Sequence, residues 1–283
     1  MRVLVHNVDH GQCAVISPLI GDRIMIDCGI LNDGTSYWWP SIHYMDQPFG
    51  LLVLTNLDED HAEDFSGIMQ RVPLSRIQWN PTIQHRDLML LKQDGMRAGM
   101  TAFAQWLATP KNPYRLRPEP NFGPVQTRYY WNTYSPGVID DTNNLSVVTV
   151  VQYGSFKIMF TGDMELKGWR NLLTFPSFRQ ELVGVNIFVA SHHGRDSGCA
   201  TDLFEIWRPE IFIISDEYLQ YESQETTGWY RNRARGIPVR GTSQTRYVYT
   251  TRNDGSLQID VAPDGNWLIT PVQVPTWPAS RSA

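Results

Sequence analysis

Apolar and polar positions divide the chain into short β-type runs that end in polar or acidic turns, with helical spacing between them. Val3-Leu4-Val5 alternates into the polar turn Asn7 to Gln12, Cys13-Ala14-Val15-Ile16-Ser17 continues as a strand, and Arg23 to Gly29 is a third. Residues 31–50 form an aromatic loop with Tyr37, Trp38, Trp39 and Tyr44 and no regular period. The run Leu51-Leu52-Val53-Leu54-Thr55 then enters the dense turn Asn56-Leu57-Asp58-Glu59-Asp60-His61. Phe65, Ile68, Met69 and Val72 recur at helical spacing across Ala62 to Val72, and Ile77 to Asn80 is a strand stopped by Pro81. Residues 82–108 carry a helical pattern (Leu88, Leu91, Met100, Phe103, Trp106, Leu107) broken near Gly95 and Gly99. From Thr109 to Pro136 prolines alternate with Tyr114, Phe122, Tyr129, Tyr130, Trp131 and Tyr134. Residues 82–136 therefore read as a lid or insertion over a site, or alternatively as a partner-binding surface.

The second half returns to strands. Ser146 to Tyr153 turns at Gly154-Ser155 into Phe156 to Phe160, which ends in Thr161-Gly162-Asp163. A helix over Trp169 to Leu182 is interrupted at Pro176, and the strand Val185 to Ala190 runs into Ser191-His192-His193-Gly194. A short helix from Asp202 to Trp207, a strand from Ile211 to Asp216 and a polar helix bearing Arg231, Arg233 and Arg235 follow. Hairpin strands at Arg246 to Tyr249 and Leu257 to Val261 close the pattern, with Asn253-Asp254-Gly255 as the turn. Two strand-rich halves, without a fixed-period repeat, fit an α/β sandwich of two sheets with outer helices. One domain over residues 1–270 is expected, followed by a loose tail over 271–283.

Composition narrows the function classes. A hydrophobic share of 42%, with 10 Trp, 12 Tyr and 11 Phe, suffices for a large core, and a charged share of 19% excludes a disordered chain. A net charge of -5 leaves no global basic footprint, so any nucleic-acid surface is local. No apolar run approaches the roughly 20 residues of a membrane helix. The start of the chain reads as a strand rather than a signal peptide, and Cys13, Cys28 and Cys199 lack CxxC spacing, so a cytoplasmic protein with reduced thiols is expected.

The chemistry concentrates at strand ends. Asp58, Asp60 and His61 stand together after one apolar strand, Asp163 after a second, and His192 with His193 after a third. Carboxylates and imidazoles converging at one sheet edge suit a divalent metal site, and an acid isolated between two motifs can bridge two ions. Asp27 either orients a metal ligand from behind or caps a turn, and His10 reads as a turn histidine with a ligand role as its other reading. His43 and His85 have no evident partner and are taken as structural.

This arrangement resembles the metallo-β-lactamase superfamily, with its HxHxDH loop, later Asp and final His. It is most similar to the metal-dependent domain of the competence protein ComEC and its free-standing relatives. The matching segments run in order from Asn7–Gln12 through Ile26–Gly29, Thr55–His61, Asn143–Ser146 and Thr161–Asp163 to Ser191–Gly194. The chain departs from that pattern at Asn56, which stands where the first motif histidine falls, and at Asp9 and Gln12 in the opening turn. The histidine those relatives place after their last core strand is missing near residues 217–228.

The resemblance implies an αββα sandwich and one or two divalent ions. Asp60, His61 and either His192 or His193 would form one site. Asp58, helped by Asn56 or Asn144, would form a poorer one, bridged by Asp163. A donor set rich in carboxylate and free of thiolate favours Mn²⁺ or Mg²⁺ over Zn²⁺, although Zn²⁺ also fits. Such a centre implies metal-dependent hydrolysis of a phosphodiester, with DNA as the partner, Asp60, Asp58 and Asp163 as the catalytic acids, and Arg231, Arg233 and Arg235 as a phosphate-facing surface. Two rivals stand beside it: a small-molecule hydrolase of the same fold, and a metal-poor binding subunit of a larger assembly, for which residues 109–136 would offer a surface to a protein partner.

Overall fold

Val3 and Val5 are fully buried while Arg2 is exposed, the period of a strand with one face on a core. The computed structural model describes residues 1–109, 119–217 and 225–278. Its strands are β1 (Arg2–Val5), β2 (Ala14–Ser17), β3 (Ile24–Ile26), β4 (Leu31–Asn32), β5 (Ser36–Trp38), β6 (Phe49–Val53), β7 (Leu74–Gln78), β8 (Gln126–Trp131) and β9 (Val147–Tyr153). There follow β10 (Phe156–Phe160), β11 (Ile187–Val189), β12 (Ile211–Ile214), β13 (Ile237–Pro238), β14 (Thr245–Arg246), β15 (Val248–Thr250), β16 (Ser256–Val261), β17 (Trp267–Val272) and β18 (Trp277–Pro278). They build a seven-stranded sheet ordered β17-β16-β1-β2-β3-β6-β7 and a six-stranded sheet ordered β15-β12-β11-β10-β9-β8.

Three apolar layers explain the stacking. Val5, Ile16, Ile24, Ile26 and Val53 of the first sheet meet Val151, Ile158, Phe160, Val189 and Ile213 of the second. The alternate residues Val15, Met25 and Leu52 face outward onto a helical layer in which, after the short α1 (Pro40–His43) and α2 (Glu59–Ala62), α3 (Phe65–Arg71), α4 (His85–Leu91) and α5 (Ala98–Ala108) supply Phe65, Ile68, Leu88, Met100 and Phe103. On the far side Val150, Met159, Phe188 and Phe212 pack against Trp169, Phe178, Phe204 and Tyr230 from the helices that follow β10, β11 and β12. The result is the αββα sandwich expected from the sequence: two sheets whose central strands are buried on both faces, with helices outside.

Direction matters more than layering for function. β3, β6 and β7 run parallel, as do β10, β11, β12 and β15. Their C-terminal ends carry residues 27, 54–61, 161–163, 190–193 and 215–217. Val147 N donates to Thr55 O at 2.6 Å and Ser215 Oγ to Gly11 O at 2.8 Å, tying one sheet's terminal loops to the other's. Ligand-carrying loops are thus pinned to a rigid double frame.

Three expectations are corrected. The segment 82–136 is structural through much of its length: α4 and α5 belong to the outer helical layer and β8 is the edge strand of the second sheet, because Leu88, Met100 and Phe103 are fully buried. Residues 110–118 of that segment lie outside the described residues. Asn253-Asp254-Gly255 does not turn a hairpin. It ends a short helix over Thr251–Asp254 that carries the chain from β15 in one sheet to β16 in the other. The tail is docked as far as Pro278, since β17 reaches Val272 and Trp277 pairs with Tyr37; residues 279–283 lie outside the described residues.

Because Phe103 contacts Phe65 edge-on at 5.3 Å within this layer, Phe103→Ala is expected to lower unfolding free energy by about 3–5 kcal/mol. Urea titration measures this, and a detachable lid would show almost no loss.

Candidate metal centre

Asp60 and His61 lie in a single helical turn, α2 (Glu59–Ala62), which β6 reaches through residues 54–58. The turn is wedged against backbone: a Cβ on Gly11 or Gly29 would lie 2.5 or 2.6 Å from the Asp60 carbonyl oxygen. Gly11, with φ of 136°, and Gly29 are therefore required to be glycine for the loop to sit this deep. Cys28 N also donates to His61 O at 2.8 Å, so the loop after β3 clasps the loop after β6. Asp163 is placed by its own N–H, which donates to Ser146 Oγ at 3.0 Å.

His192 and His193 both adopt left-handed backbone, at φ 51° and 50°. Asp27 does so too, at φ 57°. Non-glycine residues in this region each cost about 1–2 kcal/mol, and such outliers concentrate where a side chain is aimed.

One donor atom each from Asp60, His61, Asp163 and His193 lies within 4.8 Å of all the others. Both imidazoles present Nε2 to the group, because each Nδ1 is engaged behind it. His61 Nδ1 donates to Asp27 Oδ2 at 3.0 Å, and Asp27 in turn accepts from Thr55 N at 2.6 Å and Thr55 Oγ1 at 2.5 Å. His193 Nδ1 donates to the Ser215 carbonyl at 2.8 Å. The two Nε2 atoms stand 3.0 Å from Asp163 Oδ1 and 3.0 Å from Asp60 Oδ2 respectively. His193 Nε2 is buried and makes no hydrogen bond of good geometry. An orphaned buried nitrogen facing two carboxylate oxygens fits a cation, and the backing acceptors are the outer contacts that metal-bound histidines use.

The electrostatics agree. Burial works against charge on every member, yet the facing groups overrule it. His61 and His193 hold the Asp60 and Asp163 carboxyls below the ordinary range. Asp163, with Asp27 and Asp60, raises His61, and Asp163 with Asp60 raises His193. His10 is held neutral, pushed down to about 4 by burial and by His193; its Nε2 lies 3.5 Å from Asp60 Oδ2 at the mouth of the group.

Other residues singled out in the sequence fall elsewhere. His192 turns away, its Nδ1 2.9 Å from Ser197 Oγ and 3.1 Å from Glu165 Oε1. Asp58 is paired with Lys92 and accepts from Thr142 Oγ1 at 2.5 Å. Asn56 caps its own loop, its Oδ1 accepting from Leu57 N at 2.6 Å and its Nδ2 reaching Asn143 Oδ1 at 3.2 Å. Asn144 braces Asp141 and accepts from Gly168 N at 2.6 Å, so Asn143 rather than Asn144 meets Asn56. Arg233 and Arg235 stack on Trp229 and Trp207 at 3.8 and 5.0 Å, and Arg231 lies 5.4 Å from the Tyr247 ring, all on the outer helical layer.

Sequence reasoning missed Lys92 and Arg195. Lys92 closes α4, where the pattern suggested a cover, and no periodicity marks it as site-facing. Arg195, two residues past His193, has a buried Nε without a hydrogen-bond partner and is among the charges that lower His10 and His192. Its position after the histidine pair was the available signal.

No family model matches the chain, and no curated protein matches it. Among solved structures, a mutant of CmlA β-hydroxylase superposes with a TM-score of 0.52 at 10% identity, over 90% of this chain. The chain spans 53% of that enzyme's length. An archaeal metallo-β-lactamase superfamily protein from Sulfolobus tokodaii gives a TM-score of 0.33 at 15% identity, over 57% of this chain and 62% of that one. The architecture is the metallo-β-lactamase fold.

Two outcomes follow. With His61 and His193 raised above the ordinary histidine value of about 6.5, their protonation stabilises the metal-free protein fully below that pH and the benefit is lost as pH rises through the raised values. Melting temperature of chelator-treated protein is thus expected to fall as pH is raised above about 6.5, while added Mn²⁺ or Zn²⁺, which needs neutral imidazole, stabilises increasingly in the same direction. Asp27→Asn, which weakens the anchor behind His61, is expected to reduce metal affinity by about 10–100-fold in a competitive chelator titration.

Proposed function

We propose that the protein is a metal-dependent hydrolase that cleaves phosphodiesters, with DNA as the substrate class to test first. The observation that carries this is the convergence of Asp60, His61, Asp163 and His193 with both Nε2 atoms facing inward and both Nδ1 atoms tied behind. Two imidazoles and two carboxylates suit Mn²⁺ or Zn²⁺ better than Mg²⁺, which prefers an all-oxygen shell. A divalent ion held there supplies Lewis acidity toward a phosphoryl oxygen and acidifies water.

The chain's own groups do the rest. Asp60 and Asp163 balance the ion's charge and, with the anchored imidazoles, hold its position. His10, neutral and partly exposed at the mouth, can receive a proton at Nε2. Arg195 and Lys92 supply positive charge at the margins, where a phosphate would enter. Arg231, Arg233 and Arg235 lie over aromatic rings of the outer layer, so Arg195 and Lys92 are the cations assigned to the phosphate.

A second reading comes from the fold neighbour. Paired imidazoles with carboxylates also suit iron, and a β-hydroxylase shares this architecture, which would make the protein an oxygenase.

Elemental analysis of purified protein and Asp60→Ala, paired with Mn²⁺-dependent degradation of DNA and of a chromogenic phosphodiester, separates these readings. The expected result is bound Mn²⁺ or Zn²⁺ in the parent, with metal and cleavage both falling to background in Asp60→Ala. Metal with cleavage of the small diester alone would assign a small-molecule hydrolase. Bound iron with substrate-dependent O₂ consumption would move the protein to the oxygenases.

A further inference from the structure

We propose that the Lys92 ammonium takes the place of a second metal ion, so that the centre binds one divalent cation and uses Lys92 as its built-in second positive charge. This rests on the metal-dependent reading above. Asp58 is the carboxylate that the sequence offers for a second ion, and both its oxygens are already engaged. Oδ1 pairs with Lys92 Nζ; Oδ2 accepts from Thr142 Oγ1 at 2.5 Å and from Asn56 Nδ2 at 3.3 Å. The two amide oxygens of the same loop network are equally committed. Asn56 Oδ1 accepts from Leu57 N at 2.6 Å, and Asn143 Oδ1 accepts from Asn56 Nδ2 at 3.2 Å.

Lys92 is not a drifting surface lysine. It is the C-terminal cap of α4, its N–H donating to Leu88 O at 3.0 Å, and Leu88 is locked in the outer core. Its side chain is only 13% exposed, so the ammonium is delivered along a buried stem. The contact bridges residues 34 apart in sequence, from the helical layer to the ligand loop itself. Asp58 is also the N-cap position of α2 yet makes no capping hydrogen bond, leaving its carboxylate entirely for this network.

Charge balance leads the same way. One divalent ion is neutralised by Asp60 and Asp163, and Asp58 is neutralised by Lys92. A second divalent ion would meet a carboxylate already paired and would sit beside an ammonium, which like-charge repulsion disfavours. A fixed ammonium in that place can hold a phosphate oxygen as a second ion would, without needing to be loaded.

The test counts ions. Wild type, Lys92→Met and Lys92→Arg are saturated with Mn²⁺, equilibrated by gel filtration and analysed for metal per chain, with thermal melting to establish that each is folded. The expected values are one ion for wild type and Lys92→Arg, and a rise toward two for Lys92→Met, which keeps the apolar stem but frees Asp58. Inorganic phosphate binding to the Mn²⁺ forms, followed by calorimetry, is expected to weaken tenfold or more in a singly loaded Lys92→Met sample and to be retained in Lys92→Arg. Two ions in wild type, or no rise in folded Lys92→Met, overturns the proposal while leaving the metal centre standing. No bound metal in wild type overturns the metal reading itself, and the proposal with it.

Discussion

Burying ionisable groups between two sheets is the constraint on which this structure depends. Asp27 and His61 are wholly removed from solvent, and Asp163 and His193 nearly so. Isolated charges in such a place would be driven neutral. They persist because each has a partner placed by a different strand end: Asp27 after β3, His61 after β6, Asp163 after β10, His193 after β11 and the Ser215 carbonyl after β12. No one of these loops makes sense without the parallel strands that aim the other four. The sandwich therefore acts as a rigid holder, and the strained left-handed turns at Asp27 and His192-His193 are tolerated because so many hydrogen bonds over-determine them.

Much of this was legible in the chain. An apolar strand followed at once by Asp58-Glu59-Asp60-His61 announces strand-end ligands, and Thr161-Gly162-Asp163 and Ser191-His192-His193-Gly194 repeat the device. Short continuous apolar runs such as Leu51–Leu54 and Ile211–Ile214 exposed both sheets, because burial on two faces leaves an unbroken apolar signature. What stayed hidden depends on direction and distance. Adjacent histidines are equivalent in a string of letters, and only two successive left-handed residues decide that His193 enters the cluster while His192 faces Glu165. The helices over 85–108 read equally as a cover, because a surface layer and a lid carry the same apolar spacing; their role as a layer follows from the first sheet's outer apolar face, which must be covered. The Asn253-Asp254-Gly255 turn carries good hairpin chemistry, but β15 has a parallel neighbour in the second sheet, so the turn serves a crossing between sheets.

The fold narrows chemistry without choosing a substrate. Likeness to a β-hydroxylase at 10% identity says that this frame can carry redox chemistry in another chain, and nothing about the ion here. What distinguishes this chain is its donor set and the charges at its rim. The absence of thiolate ligands is physical as well as compositional: burial raises Cys13 and Cys28 well above their ordinary values, and both lie in the apolar layer beneath the ligand loop.

Two solutions to one electrostatic problem stand side by side in the ligand loop. Asp60 faces two imidazoles that can exchange their protons for a metal ion, so its partner is replaceable and its charge is available to chemistry. Asp58, two residues earlier, faces an ammonium whose charge is covalently tethered to α4 and cannot be displaced without also unseating a buried stem. The first arrangement responds to metal supply and pH; the second is constant once the chain has folded. A centre built from one exchangeable and one permanent cation keeps part of its positive field when metal is scarce. The permanent half is fixed by the same helical packing that stabilises the sandwich.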